Sequence, residues 1–167
     1  MPTTRTLDVE RSTSTAHRLS EYDGVCGCVH GHNIHWEVSV DVDMSDTGTD
    51  NMPLDLKDVS DLIDDVDHAI ILSRDDQLLR FIYEHEDGYD HAELDEWNGD
   101  GPLMWSEDIA HLGETYIFDS DPTCEVLSQW MADRIRALDP VTGVEITVYE
   151  TDKYGISTIS GSPGFQG

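Results

Sequence analysis

Cys26-Gly27-Cys28-Val29-His30-Gly31-His32 is the stretch of this chain best equipped for chemistry. Two histidines at i and i+2 on a strand point to one face, because strand side chains alternate with period two. Two imidazoles placed that way can converge on one metal ion. His17 lies upstream, at the end of a run rich in Thr, Val and Ser (Thr4 to Thr15) that reads as a first strand. A hairpin would lay the end of that strand beside the start of the next, so that His17, His30 and His32 meet at one rim of the sheet. Three protein ligands with an open fourth position describe a catalytic zinc (Zn2+) rather than a structural one. The plainer reading is a His-Gly-His loop end with an exposed His17.

Three further groups have the right types. Cys26 and Cys28 offer a rival zinc site, although their spacing is poor for a ribbon or finger. Cys26 could instead act as an acid/base or nucleophile, since a thiolate near a cation has a lowered pKa; the alternative is a small buried hydrophobe. In Asp67-His68 a carboxylate can orient an imidazole and hold its tautomer, against the alternative of an ordinary helix C-terminus. Glu150 closes a strand on the parity of Val144, Ile146 and Val148. A carboxylate there can accept paired N–H groups from a flat heterocycle; if the strand has already ended, Glu150 is merely solvated.

The elements that must position these groups follow from periodicity. Residues 18–29 form a loop marked by Asp23-Gly24 and Gly27. Ile34, Trp36, Val38, Val40 and Val42 alternate with polar residues, an amphipathic strand whose apolar parity His30 and His32 share. Residues 44–53 connect to a helix from about Leu56, with Val59, Leu62, Ile63 and Val66 at helical spacing, ending near Asp67-His68. Ile70-Ile71-Leu72 is a short apolar segment, and Asp75 to Tyr83 reads as a helical turn or two. Residues 84–114 read as an acidic surface insertion. Thr115 to Asp119 is extended, and Asp121-Pro122-Thr123 with Glu125 signals a helix start. Val126, Leu127, Trp130, Met131, Ile135 and Leu138 form its stripe, stopped by Asp139-Pro140. Strands at Val144–Glu150 and Tyr154–Ser160 flank a tight turn, and the tail from Gly161 frays. The expected fold is α+β: one domain over 1–167, a four-stranded antiparallel sheet with two helices on one face, in the order ββααββ.

Composition bounds the partners. The 167 residues hold 36 Asp+Glu against 9 Lys+Arg, a formal charge of −27, with 38% hydrophobic residues. Nucleic acid and anionic membrane surfaces are excluded as general partners, because both require Lys and Arg. The acids are interleaved with apolar periodicity rather than gathered in a tail, which favours a folded, halophilic surface over disorder. Three cysteines, no apolar run long enough to span a bilayer and no signal-peptide core give the expectation of a soluble, reducing, cytoplasmic setting.

His17-Arg18-Leu19, Cys26-x3-His30-Gly31-His32-Asn33, Pro53-Leu-Asp55-Leu-Lys57, Asp67-His68, Pro122-Thr123-x-Glu125 and Glu150-Thr151 occur in an order that resembles the 6-pyruvoyltetrahydropterin synthase/6-carboxytetrahydropterin synthase family. The resemblance runs from about residue 5 to 160. The three residues between Cys26 and His30 resemble the carboxytetrahydropterin branch; the pyruvoyl branch usually has a longer gap. The resemblance implies the tunnelling fold, homo-oligomers built as hexamers from two trimers, and active sites at subunit interfaces. It implies conversion of 7,8-dihydroneopterin triphosphate to 6-carboxy-5,6,7,8-tetrahydropterin, on the way to queuosine or archaeosine. It further implies His17, His30 and His32 as zinc ligands, Cys26, Asp67 and His68 as the proton-transfer group, and Glu150 with Thr123 as substrate-binding residues. Two other functions stay open: the pyruvoyl branch, and a non-catalytic metal- or pterin-binding member of the fold. The chain departs from the family pattern at Leu56, where an aromatic is common, at the extra thiol Cys28, and in the 84–114 stretch. Arg11, Arg18, Lys57 and Lys153 are the candidates for holding a triphosphate.

Overall fold

A computed structural model of the chain describes residues 4–45, 51–79, 96–105 and 114–161. The expected fraying past Gly161, the helical reading of 80–83 and most of the acidic stretch fall outside the described residues. The chain forms two compact units, one of Met1–Thr13, Asn33–Asp65 and Cys124–Gly167, the other of Ser14–His32 and Val66–Thr123. Two long strands, β1 (Thr4–His17) and β2 (His30–Asp43), run through both.

In the first unit the strand order is β1-β2-β6-β7, with β6 at Val141–Thr151 and β7 at Tyr154–Gly161. β2 pairs antiparallel with β6, and β6 with β7. Side-chain bonds Thr6–Asp41, Asp8–Ser39 and Ser12–His35 step in opposite directions along β1 and β2, so these two are antiparallel as well. The alternation in β2 has its expected consequence: Ile34, Trp36, Val38, Val40 and Val42 are buried. The Trp36 indole N–H donates to Thr13 Oγ1 at 2.9 Å, so burial leaves no orphaned donor.

Helix α1 (Leu56–Asp64) starts where the Asp55 carboxylate accepts the Lys57 N–H at 2.9 Å, an N-cap. It buries Val59 and Ile63, each a contribution of about 1.5–3 kcal/mol. The helix ends at Asp64, before Asp67-His68, which lie in the turn beyond it. Helix α2 (Cys124–Arg136) buries Leu127, Met131 and Ile135 and packs across β6 and β7, with α1 against it. Leu138, expected in its stripe, lies past its end.

The second unit corrects the expected topology. Ile70-Ile71-Leu72 belongs to a strand, β3 (Ile70–Ser73), which pairs parallel with the end of β1 through Ala16↔Ile70 and His17↔Ile71. On its other side β3 pairs parallel with β5 (Thr115–Phe118), and β5 pairs antiparallel with β4 (Leu103–Trp105). The sheet is therefore mixed, with seven strands among the described residues, and neither four-stranded antiparallel nor in the order ββααββ. The cause is local. Strands covered on both faces have no wet side, so β3 and β5 carry no alternation to identify them. Ile70, Leu72, Leu79 and Ile117 form a core, against which Trp97 and Leu103 of the acidic stretch pack. No helix among the described residues is long and apolar enough to cross a membrane.

Candidate metal centre

His17 closes β1 and His30 opens β2, at opposite positions in the antiparallel register that Thr6–Asp41 and Ser12–His35 define. His32 follows on the parity of His30. The three rings converge, with centroids 4.7 Å apart for His17–His30, 5.2 Å for His17–His32 and 4.8 Å for His30–His32. Their candidate ligand atoms all lie within 4.8 Å of one another. Nitrogens bound tetrahedrally at about 2.0–2.1 Å from zinc stand roughly 3.4 Å apart, so small ring rotations close the set.

Two backbone carbonyls fix the protonation of two rings. His17 Nδ1 lies 3.0 Å from the Pro122 carbonyl, and His30 Nδ1 lies 2.7 Å from the Cys28 carbonyl. A carbonyl only accepts, so in each ring the proton sits on Nδ1 and the lone pair on Nε2. Second bonds of this kind orient metal-binding histidines generally. His17 is 4% exposed, and His30 Nε2 is buried with no hydrogen-bond partner. A buried, unsatisfied nitrogen is worth about 1–3 kcal/mol of lost solvation, which a bound cation would restore. Three converging imidazoles, two of them with Nδ1 turned to a backbone carbonyl and one with a buried, unpartnered Nε2, fit zinc.

Cys26 sits in a short 3-10 turn, Val25–Gly27, within the loop between the two strands, and is half-buried. Its carbonyl accepts the Leu19 N–H at 2.9 Å. Gly27 is required by close approach, because a Cβ there would stand 2.6 Å from the Tyr22 carbonyl. Cys28 is exposed.

Asp67 and His68 form a contacting pair, Oδ2 to Nδ1 at 3.0 Å. The other oxygen, Oδ1, accepts the Ser14 N–H at 2.7 Å, and Ser14 accepts from the His68 N–H at 2.7 Å, which pins the pair to β1. His68 is exposed and adopts φ 61°, the left-handed region. The Ser14 amide, opposed by slight desolvation and helped by His68, holds the Asp67 carboxyl below its usual range. A depressed carboxylate stabilises the fold fully above the ordinary value of about 4 and loses that contribution as pH falls through its lower folded value. Asp67→Asn is therefore expected to destabilise at neutral pH, and the difference from wild type should vanish in acid. Urea midpoints from about pH 6 down to about pH 2 test this; a difference that does not change with pH would contradict it.

Glu150 lies at the end of β6, where the register with β7 shifts between Tyr149 and Thr151. It is half-buried and lines an open cleft of about 640 Å³ together with Asn33, His35, Glu37, Tyr149, Thr151 and Asp152. Its carboxylate bonds the thiol of Cys124, the first residue of α2. Burial, reinforced by the Glu150 charge, drives the Cys124 thiol far above its usual value, so it stays protonated and acts as the donor. Thr123 is half-buried and donates its N–H to the Asp121 carbonyl at 2.9 Å. Of the four bases considered for a triphosphate, Arg11 pairs with Asp64, Arg18 with the buried Asp76 at 3.2 Å, and Lys57 with Asp61. Lys153, exposed at the β6–β7 turn, has no ion pair among the described residues.

Sequence alone gives no sign of the Pro122 and Cys28 carbonyls or of the Cys124 thiol. It assigns Asp121 to a helix start, whereas the Asp121 carboxylate turns to the loop after His17 and accepts from Ser20 and Glu21.

A family profile described as 6-pyruvoyl tetrahydropterin synthase matches residues 6–159. A protein of Halobacterium salinarum named "Probable 6-carboxy-5,6,7,8-tetrahydropterin synthase" is 28% identical over 153 residues, 88% of this chain and 84% of that one. Among solved structures, an uncharacterised protein from Wolinella succinogenes superposes with a TM-score of 0.63 at 20% identity, covering 93% of this chain and 98% of its own. A Plasmodium vivax 6-pyruvoyl tetrahydropterin synthase superposes at 0.56 with 14% identity, covering 96% and 99%. At these identities the two structures establish a shared fold.

Proposed function

Because this chain belongs to the 6-pyruvoyl tetrahydropterin synthase family and is a pterin-synthase-like enzyme, we propose that it is a zinc-dependent carbon–carbon lyase of the 6-carboxytetrahydropterin synthase type. The substrate is 7,8-dihydroneopterin triphosphate. With one water consumed, the products are 6-carboxy-5,6,7,8-tetrahydropterin, acetaldehyde and triphosphate, on a route to 7-deazaguanine nucleosides such as queuosine or archaeosine. The observation that carries this reading is the cluster of three imidazoles, two with lone pairs set by carbonyls. The three-residue gap between Cys26 and His30, and the name of the Halobacterium relative, favour the carboxy branch.

His17, His30 and His32 would hold the zinc, which when bound supplies Lewis-acid polarisation of the substrate's side-chain oxygens. Cys26, as thiolate, takes a proton from the substrate side chain, and His68 moves a second. Asp67 accepts from His68 Nδ1–H, which leaves Nε2 as the exchanging nitrogen. Glu150 accepts from the 2-amino and N3 hydrogens of the pterin and fixes its orientation, with Thr123 as a further substrate contact. The enzyme acts as a hexamer of two trimers with interfacial active sites. In support, β7 has no strand on its outer side among the described residues, and such an edge invites pairing with a second copy.

The test is a product assay in high salt with zinc-loaded protein. Acetaldehyde and 6-carboxytetrahydropterin formed together, and lost in Cys26→Ala with zinc retained, are the expected result. Pyruvoyltetrahydropterin without acetaldehyde would move the enzyme to the pyruvoyl branch. Zinc bound with no turnover would overturn the substrate assignment.

A further inference from the structure

One short segment, Asp121-Pro122, bonds both His17 and the start of the loop that carries Cys26. Asp121 Oδ1 accepts the Ser20 N–H at 2.8 Å and the Ser20 hydroxyl at 2.7 Å, and Oδ2 accepts the Glu21 N–H at 3.2 Å. The next residue, Pro122, supplies the carbonyl that holds His17 Nδ1 at 3.0 Å. Between these two attachments lie only Arg18 and Leu19. Arg18 is tied to the buried Asp76 at 3.2 Å, and the Leu19 N–H bonds the Cys26 carbonyl at 2.9 Å. The Ser20 hydroxyl also meets Ser73 Oγ of β3 at 3.2 Å.

The donor pattern calls for a carboxylate. Three N–H and O–H donors face two acceptor oxygens, and an amide at this position would turn an NH2 towards one of them. Partial burial works against the charge. The Ser20 hydroxyl and amide, the Glu21 amide and Arg18 outweigh it, and the carboxyl titrates below its usual range.

We propose that Asp121 is a positioning residue, whose brace on Ser20 and Glu21, next to the Pro122 carbonyl, sets the His17 imidazole and the Cys26 loop in fixed relation. It touches neither metal nor substrate and acts through those two residues. The proposal rests on the reading of His17 as a ligand and Cys26 as the working thiol. Removing the brace frees the loop start, the Leu19–Cys26 bond loses its fixed end, and the His17 ring loses the rigid neighbour of its orienting carbonyl.

The experiment compares full-length wild type with Asp121→Ala, Asp121→Asn and Ser20→Ala. It measures zinc affinity by chelator competition, the rate of Cys26 alkylation by iodoacetamide with peptide-resolved mass detection, and kcat and KM separately. Asp121→Ala is expected to weaken zinc binding by about 10- to 100-fold, the range for lost orienting partners of metal ligands. It should label Cys26 several-fold faster and lower kcat with KM unchanged. Asp121→Asn should recover part of each loss, and Ser20→Ala should shift zinc affinity and labelling in the same direction by less.

A folded Asp121→Ala protein with wild-type zinc affinity and wild-type Cys26 labelling would overturn the proposal, even if its melting temperature fell, because that is a purely structural role. If Asp121→Ala does not fold, Ser20→Ala decides: wild-type values on both readouts overturn the brace. Wild-type protein that binds no zinc would refute the metal reading instead, and the Cys26 labelling would still judge the brace.

Discussion

Replacing His30 by Ala is expected to abolish zinc retention and to lower turnover by about a thousandfold or more, the several kcal/mol that a Lewis acid contributes to a polar transition state. The metal-free fold should barely respond. His30 is only half-buried, its Nε2 has no hydrogen-bond partner, and the bond lost is the one to the Cys28 carbonyl. The contrast lies in the loaded protein. A ligand that binds only the folded state at about 100 times its Kd adds about 2.7 kcal/mol, so wild type should melt well above its chelator-treated form. His30→Ala should melt at one temperature with or without zinc. Equal zinc stabilisation of variant and wild type would refute the His17–His30–His32 centre.

The second large effect falls on recognition. Glu150→Ala is expected to raise KM by about 10- to 100-fold, the range for hydrogen bonds to a charged group, with a smaller change in kcat. Glu150→Gln should lie near Glu150→Ala rather than near wild type. Its NH2 would face the N–H edge of the heterocycle and would also disturb the bond that Cys124 now donates. Equilibrium binding of a non-reactive pterin, followed by fluorescence, separates this from chemistry. Unchanged pterin affinity in Glu150→Ala would assign the cleft beside Tyr149 and His35 to some other ligand.

Sequence patterning made the first unit readable and left the second obscure. In β2 a single alternation gives strand, buried face and the parity of His30 and His32, because one face is wet and the other covered. Asp55 announces α1 through an ordinary cap. By contrast, Ile70-Ile71-Leu72-Ser73 is buried at every position, and such a run does not state which strands flank it or in which direction. The β3–β1 and β3–β5 pairings join segments far apart in the chain, so no turn signal connects them. β4 lies within a stretch whose composition is that of a solvated surface. At the site, the meeting of three imidazoles follows from parity and a hairpin. The groups that orient them do not: Pro122 and Cys28 act through carbonyls that every residue possesses, and Asp121 carries a helix-start signature while serving a loop.

The left-handed backbone at His68 sets two aims of protein engineering against each other. An L-residue with a side chain loses about 1–2 kcal/mol in that region, and glycine loses far less. A designer seeking a hardier enzyme would find this corner early in a search for strained positions, and glycine would be the natural substitution. That change would relax the chain and delete the imidazole that Asp67 orients. Any thermostable variant obtained by selection on folding alone should therefore be sequenced at this position before its activity is trusted, since robustness and the proton transfer proposed for His68 compete there for one residue.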